Sequence, residues 1–270
     1  MSQVPNEIWD THYTVSLLNA AQRDRLLAVL VSPRNPLNVG AAARAMANFG
    51  FSRLAVVSPY APHWREARSA VGAPDLLRNA AECATLAEAV ADCTLVAGTG
   101  SLAHRRPEQP VVSLPALSPI FDREIARGGQ IALVFGPEKR GLTRDDLSLC
   151  HLLVEIPTAP EQPSMNLGQA VAVCLYELAA RGPDSEESAS EPPAQLPASA
   201  RENQTVSSAT LDLLAGVVEQ VMEAAHYSPP EMRAANRHDT RLLLRRLDLS
   251  ERDARRILGL FRRVLRRLRR

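Results

Sequence analysis

The sequence predicts an α/β fold with a mostly parallel sheet. Apolar runs of strand length, such as residues 26–31 and 131–135, alternate with stretches of helical spacing. Continuous apolar runs are typical of strands that are buried on both faces of a parallel sheet. The run at 26–31 is followed by a small-residue segment that ends at Gly50 and by the next run at 51–57. Together they predict a strand, a helix and a strand within about 35 residues, the length of a βαβ unit. A hydrophobic content of 46% is ample for the core of such a fold.

The remaining elements continue this alternation. A helical stretch is predicted near residues 80–91, a proline-rich crossing at 107–119 and a helix at 166–181. The strands predicted between them are 93–100, 131–136 and 151–157. Because ligands of parallel α/β sheets bind at the carboxyl ends of the strands, the loops that follow these strands are expected to hold a functional site.

Composition divides the chain into four regions. Residues 1–24 are polar and irregular and are expected to form an N-terminal extension, and residues 25–181 hold the α/β domain. Residues 182–208 contain almost no large apolar side chain. This segment cannot bury enough surface to fold and is predicted to be a linker. Residues 209–270 have helical spacing and are predicted to form a small, basic, all-α domain.

The last predicted helix carries an apolar stripe opposite its arginines, with Ser250 as the N-cap. The stripe consists of Ile257, Leu260, Phe261, Val264, Leu265 and Leu268. From residue 241 onward there are twelve arginines and three acidic residues, although the net charge of the whole chain is only +1. This asymmetry indicates a polyanionic partner. A solvated arginine face is the alternative.

The sequence contains no segment that predicts a membrane span or export. The longest apolar runs are far shorter than the roughly 20 residues of a membrane helix, and no basic segment followed by an apolar one opens the chain. The cysteines at 83, 93, 150 and 174 are scattered and form no CxxC pair. We expect reduced thiols in a cytoplasmic protein without a metal, and a structural zinc site is the alternative.

Three loops after predicted strands carry unusual residues: "NPLNVGAAAR", "FGPEKRGLT" and "IPTAPEQPSMNLGQA". Each alone could be explained by turn glycines, strand-ending prolines or helix caps. In the second loop Gly136 and Gly141 would let backbone amides approach a ligand. The patterns of a phosphate-binding P-loop and of a dinucleotide-binding GxGxxG turn are absent, and no Ser-His-Asp order or His/Cys cluster stands out. These features favour a nucleotide-like ligand held mainly by backbone.

The three loops, in this order, resemble the signature motifs of the SpoU branch of the SPOUT methyltransferases over residues 25–181. The resemblance implies a deep trefoil knot at the C-terminal end of the α/β domain, an exception to the rule against threaded chains, and a homodimer. It implies S-adenosyl-L-methionine as methyl donor and the ribose 2′-hydroxyl of tRNA or rRNA as acceptor. The third loop and the basic helical region are most similar to the enzymes of this branch that modify nucleotide 32 of the tRNA anticodon loop.

The resemblance also implies roles for individual residues. Arg44 matches the arginine placed at the acceptor ribose, Asn38 and Gly40 match residues that shape the turn, and Glu138 matches an acidic residue that organises the site. The implied donor-binding residues are Thr99, Gly100, Ser101, Gly136, Ile156, Ser164, Met165 and Asn166. Met165 replaces the leucine of the family pattern.

The segment "GTGSLAHRR" departs from the family pattern, because basic residues are expected where Leu102 and Ala103 stand. Basic character returns at Arg105 and Arg106. These two arginines, together with Arg53, are the predicted RNA contacts within the α/β domain. Either the loop is longer here and its arginines still meet RNA, or that contact is missing.

Arg44 is not expected to act as a general base, because a guanidinium keeps its proton at any physiological pH. We expect it to stabilise negative charge on the 2′-oxygen or to hold the adjacent phosphate. The alternatives to a tRNA methyltransferase are an rRNA 2′-O-methyltransferase and a non-catalytic RNA-binding protein with the knotted fold. The C-terminal helices could also serve only for dimerisation.

Overall fold

The computed structural model describes residues 18–100, 107–180, 205–227 and 229–269. Within them it confirms the predicted α/β fold and the parallel sheet. Most of the predicted N-terminal extension and of the predicted linker lies outside the described residues, as do Ser101, Arg105 and Arg106. The boundaries predicted for the four regions therefore stay predictions.

Seven strands form one sheet in which every pair is parallel. They are β1 (Leu26–Val31), β2 (Arg53–Val57), β3 (Ala81–Cys83), β4 (Leu95–Thr99), β5 (Val111–Ser113), β6 (Ile131–Phe135) and β7 (Leu152–Glu155). Their order across the sheet is β3-β2-β1-β6-β4-β7-β5. All residues of β1 and β6 are buried, which explains why these two strands appear in the sequence as continuous apolar runs.

Ten α-helices are found in the described residues. They are α1 (Ala20–Arg23), α2 (Pro36–Asn48), α3 (Pro74–Asn79), α4 (Leu86–Ala89), α5 (Ser118–Ala126), α6 (Arg144–Ser148), α7 (Leu167–Ala180), α8 (Ser208–Ala224), α9 (Arg233–Arg246) and α10 (Glu251–Leu268). Short 3-10 turns lie at Trp64–Glu66, Leu114–Ala116 and Pro230–Met232. No helix among the described residues is long and apolar enough to cross a membrane.

Helices cover both faces of the sheet. One apolar cluster joins α2, α5 and α7 to the sheet through side chains such as Met46, Phe121 and Leu175. The other face packs against α4 and the segment around Leu149. Because both faces are covered, the sheet is buried except at its edges.

The two edge strands were missed by sequence analysis. The stretch predicted as helix near 80–91 begins as β3 and becomes helical only in α4, and the proline-rich crossing contains β5. Each edge strand has three residues, and neither has a fully buried one. Their conformation is fixed by pairing with β2 and β7, so no apolar run marks them in the sequence.

The C-terminal helices pack against each other and against the α/β unit. Leu214, Leu244 and Leu258 belong to a separate apolar cluster of α8, α9 and α10. The backbone N–H of Ser208 donates to the carbonyl of Cys93 at 2.8 Å. Arg245, only 5% exposed, donates from Nε to the carbonyl of Leu149 at 3.0 Å and from Nη2 to Asp212 at 3.1 Å.

The apolar stripe of α10 is only partly buried. Ser250 caps the helix as predicted, accepting from the N–H of Asp253. Leu265 lies inside and Phe261 is partly buried against the cluster, whereas Leu260, Val264 and Leu268 are exposed. The helix therefore turns a narrower face towards α8 than the sequence stripe suggested.

Candidate functional site

A cleft of about 590 Å³, here called the main cleft, lies at the carboxyl ends of β4, β6 and β7. Sequence analysis expected a site at this edge of the sheet. The side walls are formed by residues 136–142 after β6 and by residues 156–165 after β7. The lining residues are Thr99, Gly100, Phe135, Gly136, Pro137, Glu138, Lys139, Arg140, Gly141, Leu142, Glu155, Ile156, Pro157, Thr158, Pro160, Pro163, Ser164, Met165, Leu167 and Ala170.

Glycine is required at position 136 because the loop after β6 folds back on itself. The N–H of Gly141 donates to the carbonyl of Pro137 at 2.8 Å, and Gly141 has a positive φ of 62°. A Cβ on Gly136 would come closer than 3.0 Å to the backbone of Gly141 and Leu142. Thr99 joins the end of β4 to β6 just before this loop, because its hydroxyl donates to the carbonyl of Val134 at 3.0 Å.

The three predicted motifs meet in a chain of side-chain hydrogen bonds, here called the asparagine network. Asn38 of α2 donates from Nδ2 to Oε1 of Glu138 at 2.6 Å. Asn166 donates from Nδ2 to Oδ1 of Asn38 at 3.0 Å. The Oδ1 of Asn166 accepts the N–H of Gly168 at 2.9 Å, which satisfies a free donor at the start of α7. One polar residue from each motif thus takes part.

The electrostatics of Glu138 keep its carboxylate charged. Desolvation by itself would raise the pKa of Glu138, but the hydrogen bond from Asn38 and nearby backbone N–H groups, including those of Arg34 and Asn35, outweigh it and lower the pKa below its ordinary value. The second oxygen, Oε2, is buried without a hydrogen-bond partner among the described residues. Glu138 therefore places a negative charge in the wall of the main cleft.

Arg44 does not line the main cleft. It lies on a stripe of α2 formed by Leu37, Ala41, Arg44 and Asn48 at helical spacing, in which Ala41 is partly buried and the other three residues are exposed. Within the part of the chain that the structure describes, its guanidinium makes no hydrogen bond or ion pair. The guanidinium is therefore available to a substrate or to another molecule.

Asn38 and Gly40 lie inside helix α2, so they do not shape a turn as expected. A Cβ on Gly40 would come closer than 3.0 Å to Oγ of Ser69 and to the backbone N of Ala70. Gly40 therefore permits the close approach of the segment before α3. The turn itself is made by Asn35, whose side chain caps α2 by accepting the N–H of Leu37 at 3.0 Å.

The structure brings most of the predicted donor-binding residues together. Six of them line the main cleft: Thr99, Gly100, Gly136, Ile156, Ser164 and Met165. Asn166 adjoins it through the asparagine network. Arg53 lies at the other end of its strand, where Nη1 donates to the carbonyl of Asp24 at 3.1 Å and to Gln130 at 2.7 Å. It is not brought to the main cleft.

Sequence analysis missed three charged residues of the main cleft, Lys139, Arg140 and Glu155. The first two stand inside the "GPEKRG" loop, and Glu155 ends β7. Their position next to recognised motif residues was a usable signal. A charged residue at a strand end is common, however, and only the folded loop shows which ones face the cleft.

None of the four cysteines lines the main cleft. All four cysteines are free, and burial raises the pKa of Cys93, Cys150 and Cys174 to about 12, so these thiols are unreactive.

Potential ligand atoms of Glu108, His238 and Asp239 lie within 4.8 Å of one another. The guanidinium of Arg144 lies 3.9 Å from Glu108. That no metal is bound stays a prediction.

Comparisons with known proteins agree with this architecture. A sequence profile of the SpoU rRNA Methylase family matches residues 25–176. The curated tRNA (cytidine/uridine/adenosine-2′-O-)-methyltransferase TrmJ of Pseudomonas aeruginosa is 41% identical over 156 residues, which are 57% of this chain and 60% of that protein. The tRNA (cytidine/uridine-2′-O-)-methyltransferase TrmJ of Pectobacterium atrosepticum is 37% identical over 160 residues, 57% of this chain and 64% of that protein.

Among solved structures, that of TrmJ from Z. mobilis ZM4 is similar to this chain with a TM-score of 0.73 and 30% identity. The match covers 88% of this chain and 98% of that chain. The matched region spans less than two thirds of the length of the two curated relatives.

Proposed function

Because the chain belongs to the SpoU rRNA methylase family, we propose that it transfers a methyl group from S-adenosyl-L-methionine to a ribose 2′-hydroxyl of tRNA. The acceptor we propose is nucleotide 32 of the anticodon loop, as the sequence resemblance implies, and the proposed location is the cytoplasm. The choice of tRNA over rRNA is supported by the relatives that are named tRNA 2′-O-methyltransferases.

The observation that carries the proposal is the asparagine network beside the main cleft. It joins Asn38, Glu138 and Asn166, which come from three motifs separated by up to 128 positions in the sequence. A non-catalytic RNA-binding protein would have no need to tie these motifs together around a ligand-sized cleft. The network therefore favours an enzyme.

The main cleft fits the proposed donor. Its volume of about 590 Å³ is suitable for a nucleoside-sized ligand. The backbone at Gly136 and Gly141, which carry no side chain, offers close contacts to a planar base, and the apolar side chains of Ile156, Met165 and Leu167 can pack against it. Side chains of both signs line the cleft, Glu138 and Glu155 with Lys139 and Arg140, so it offers negative charge to the sulfonium and positive charge to the carboxylate of the donor. The donor, when bound, would supply an electrophilic methyl group.

The residues of the chain would position the acceptor and stabilise its charge. The 2′-hydroxyl must lose its proton as the oxygen reacts, and positioning of the two reactants supplies most of the rate enhancement. Arg44 would stabilise the negative charge that develops on that oxygen. Glu138, held by Asn38, would organise the site, and water or a phosphate oxygen would accept the proton.

We propose a homodimer that forms through α2 and α7. The two helices pack closely, because a Cβ on Gly168 would come closer than 3.0 Å to Cβ of Ala41. Beside the stripe of α2, helix α7 exposes Val173 and Tyr176. Leu37 is 55% exposed and Tyr176 is 57% exposed, so the combined surface offers large apolar side chains to a partner. Arg44 lies on this surface and outside its own main cleft, and in the dimer it would serve the cleft of the partner.

We also propose the deep trefoil knot that the resemblance implies. It is supported by the shared cleft: residues 136–142 and 156–165 line it together before the chain continues into α7 and packs on α2. Stretching the unfolded chain from residues 20 and 180 in an optical trap is expected to leave it shorter than an unknotted chain. A full contour length would contradict the knot.

Substitution of Arg44 tests the proposed chemistry. Arg44→Ala is expected to lower the methyl-transfer rate on tRNA by about 100-fold or more, because one charge-stabilising donor is lost. Arg44→Lys is expected to recover part of the rate, since the charge remains without the planar fork. Donor affinity, measured by calorimetry, is expected to stay unchanged in both variants.

Arg78→Ala is a suitable control, because Arg78 is also an exposed helical arginine and belongs to α3. It is expected to leave the rate unchanged. Full activity of Arg44→Ala would contradict a catalytic role for Arg44.

A further inference from the structure

Arg34 and Tyr60 form an exposed pair beside the main cleft. The guanidinium carbon of Arg34 lies 5.9 Å from the centre of the Tyr60 ring, within the range of a cation–π contact. Tyr60 is 78% exposed, and Arg34 is also exposed. Among the described residues, the guanidinium of Arg34 has no carboxylate partner.

The backbone under both side chains is fixed. The N–H of Tyr60 donates to the carbonyl of Pro33 at 3.2 Å, which ties the loop after β2 to the loop after β1. Ser58 holds the loop after β2, because its Oγ donates to the carbonyl of Ala84 at 2.7 Å. Arg34 immediately precedes Asn35, the N-cap of α2. An exposed ring and a planar cation on a rigid base form a preorganised contact surface.

The pair is close to the proposed chemistry. Arg34 follows β1, Tyr60 follows β2 and Glu138 follows β6, and these strands are neighbours in the order β2-β1-β6. Because neighbouring strands are about 4.8 Å apart, the carboxyl ends of the three strands, from which these loops start, lie within roughly 10 Å of one another. The backbone N–H of Arg34 faces the Glu138 carboxylate.

We infer that Arg34 and Tyr60 are a stacking platform for an unpaired nucleobase of the RNA substrate, next to the nucleotide that is methylated. Single-stranded RNA loops are bound by stacking of splayed bases on aromatic rings and on guanidinium planes. The positive charge of Arg34 favours RNA over an apolar or cationic partner. This inference rests on the proposed function, because it names a contact for the same RNA.

The test uses the full chain and an anticodon stem-loop RNA that carries the fluorescent base 2-aminopurine at one loop position at a time. Stacking on the platform is expected to change the emission at one position on binding to the wild-type chain. Tyr60→Phe keeps a ring and is expected to preserve this change, whereas Tyr60→Ala is expected to abolish it. RNA affinity of Tyr60→Ala is expected to fall about 5- to 150-fold, the range for loss of one base–aromatic stack.

Three controls separate the possible causes. Tyr227→Ala removes a ring of similar exposure, 70%, in the C-terminal region and is expected to have no effect. Tyr60→Ala is expected to bind S-adenosyl-L-methionine normally, because Tyr60 does not line the main cleft. Arg34→Lys is expected to weaken RNA binding without changing its salt dependence, since the charge is kept and the plane is lost.

If the wild-type chain methylates tRNA but Tyr60→Ala and Tyr227→Ala bind RNA with equal affinity, the platform would be overturned and the proposed function would stand. The same affinity loss in Tyr60→Phe as in Tyr60→Ala would also overturn it, because the hydroxyl and not the ring would be responsible. Absence of methyl transfer by the wild-type chain would contradict the proposed function itself.

Discussion

At the scale of single residues, glycines determine whether the main cleft can form. Gly136→Ala is expected to weaken binding of S-adenosyl-L-methionine at least 10-fold, because the added methyl group would clash with the backbone of Gly141 and Leu142 and push the loop outward. Calorimetric titration with the donor measures this change. Gly216→Ala in α8 is the control, since nothing lies within 4 Å of its added Cβ. Equal donor affinity in the two variants would refute the role given to Gly136.

The sequence predicted which residues meet at the site better than it predicted their geometry. Gly136 directly follows β6, and Ser164 and Met165 stand in the recognisable motif between β7 and α7. The parallel topology brings the ends of these strands together without further information. The placement of Arg44 depends on how α2 is rotated against α7, which is a long-range packing property. The position of Arg53 at the start of its strand, by contrast, could be predicted from the apolar run that follows it.

At the level of helices and strands, β7 is joined to β4 and to α9 through His151 and Arg245. The start of β7 is held by His151, whose N–H donates to the carbonyl of Val96 at 2.8 Å and whose Nδ1 accepts the N–H of Val96 at 3.1 Å. Nδ1 can accept only when it is unprotonated. Burial and, to a lesser extent, the nearby charge of Arg245 lower the pKa of His151 to about 3. The docking of α9 through Arg245 and the protonation state of His151 are thereby linked.

This link predicts a loss of stability in mild acid. Above pH 6.5, the ordinary value for histidine, His151 is neutral in both the folded and the unfolded chain. As the pH falls from about 6.5 towards 3, only the unfolded chain takes up the proton, so the free energy of unfolding decreases. Between pH 7.5 and pH 5 the His151 contribution to this decrease is expected to be about 1 to 2 kcal/mol.

Urea unfolding of the wild-type chain and of His151→Asn at these two pH values measures the effect. Asparagine keeps an acceptor for the N–H of Val96 and does not titrate, so the variant is expected to lose less stability between the two pH values. An identical loss in both proteins would show that His151 titrates freely in the folded chain.

Elements with a buried apolar run, such as β1 and β6, could be predicted from the sequence, whereas β3 and β5 could not. Three-residue edge strands gain their conformation from pairing with a neighbour, so local composition carries little information about them. The C-terminal helices were predicted from their spacing. Their docking through Arg245 was not, since a buried arginine is indistinguishable in sequence from the exposed arginines around it.

At the scale of the whole molecule, the proposed dimer and the proposed site are coupled. Leu37→Asp combined with Tyr176→Asp is expected to convert a dimer into monomers and to abolish methyl transfer, because two charges are placed on the apolar surface of α2 and α7. Light scattering after size exclusion measures the mass. Leu260→Asp, at a side chain that is 62% exposed on α10, is the control and is expected to leave the dimer intact.

A mixing experiment shows whether Arg44 acts across that dimer. At a donor concentration far below the weakened donor affinity of Gly136→Ala, the Arg44→Ala and Gly136→Ala chains are each expected to be nearly inactive. In a mixed dimer, the Arg44→Ala chain has an intact main cleft and its partner has an intact arginine. If half of the dimers are mixed and each holds one complete site, about a quarter of the wild-type activity is expected. If mixing gives no gain in activity, Arg44 acts at the main cleft of its own chain and not at that of the partner.

The charge of the C-terminal region shows the limit of composition as a guide. Twelve arginines after residue 240 suggested a broad basic surface, yet Arg245 is buried and Arg241 is paired with Asp212 at 3.7 Å. These residues stabilise the molecule internally. Arginines of α10 such as Arg262 and Arg263 are exposed, and the proposed RNA contact of this region would use these.

The most direct measurement of the central claim is mass-spectrometric mapping of methyl groups after incubating the full chain with S-adenosyl-L-methionine and unmodified tRNA or rRNA transcripts. A single donor-dependent 2′-O-methyl group is expected at nucleotide 32 of tRNA, and it is expected to be absent with Arg44→Ala. Methylation at another tRNA position would correct the acceptor. Methylation of rRNA alone, methylation of a base, or no transfer by a chain that binds the donor would show that the protein is not a tRNA 2′-O-methyltransferase.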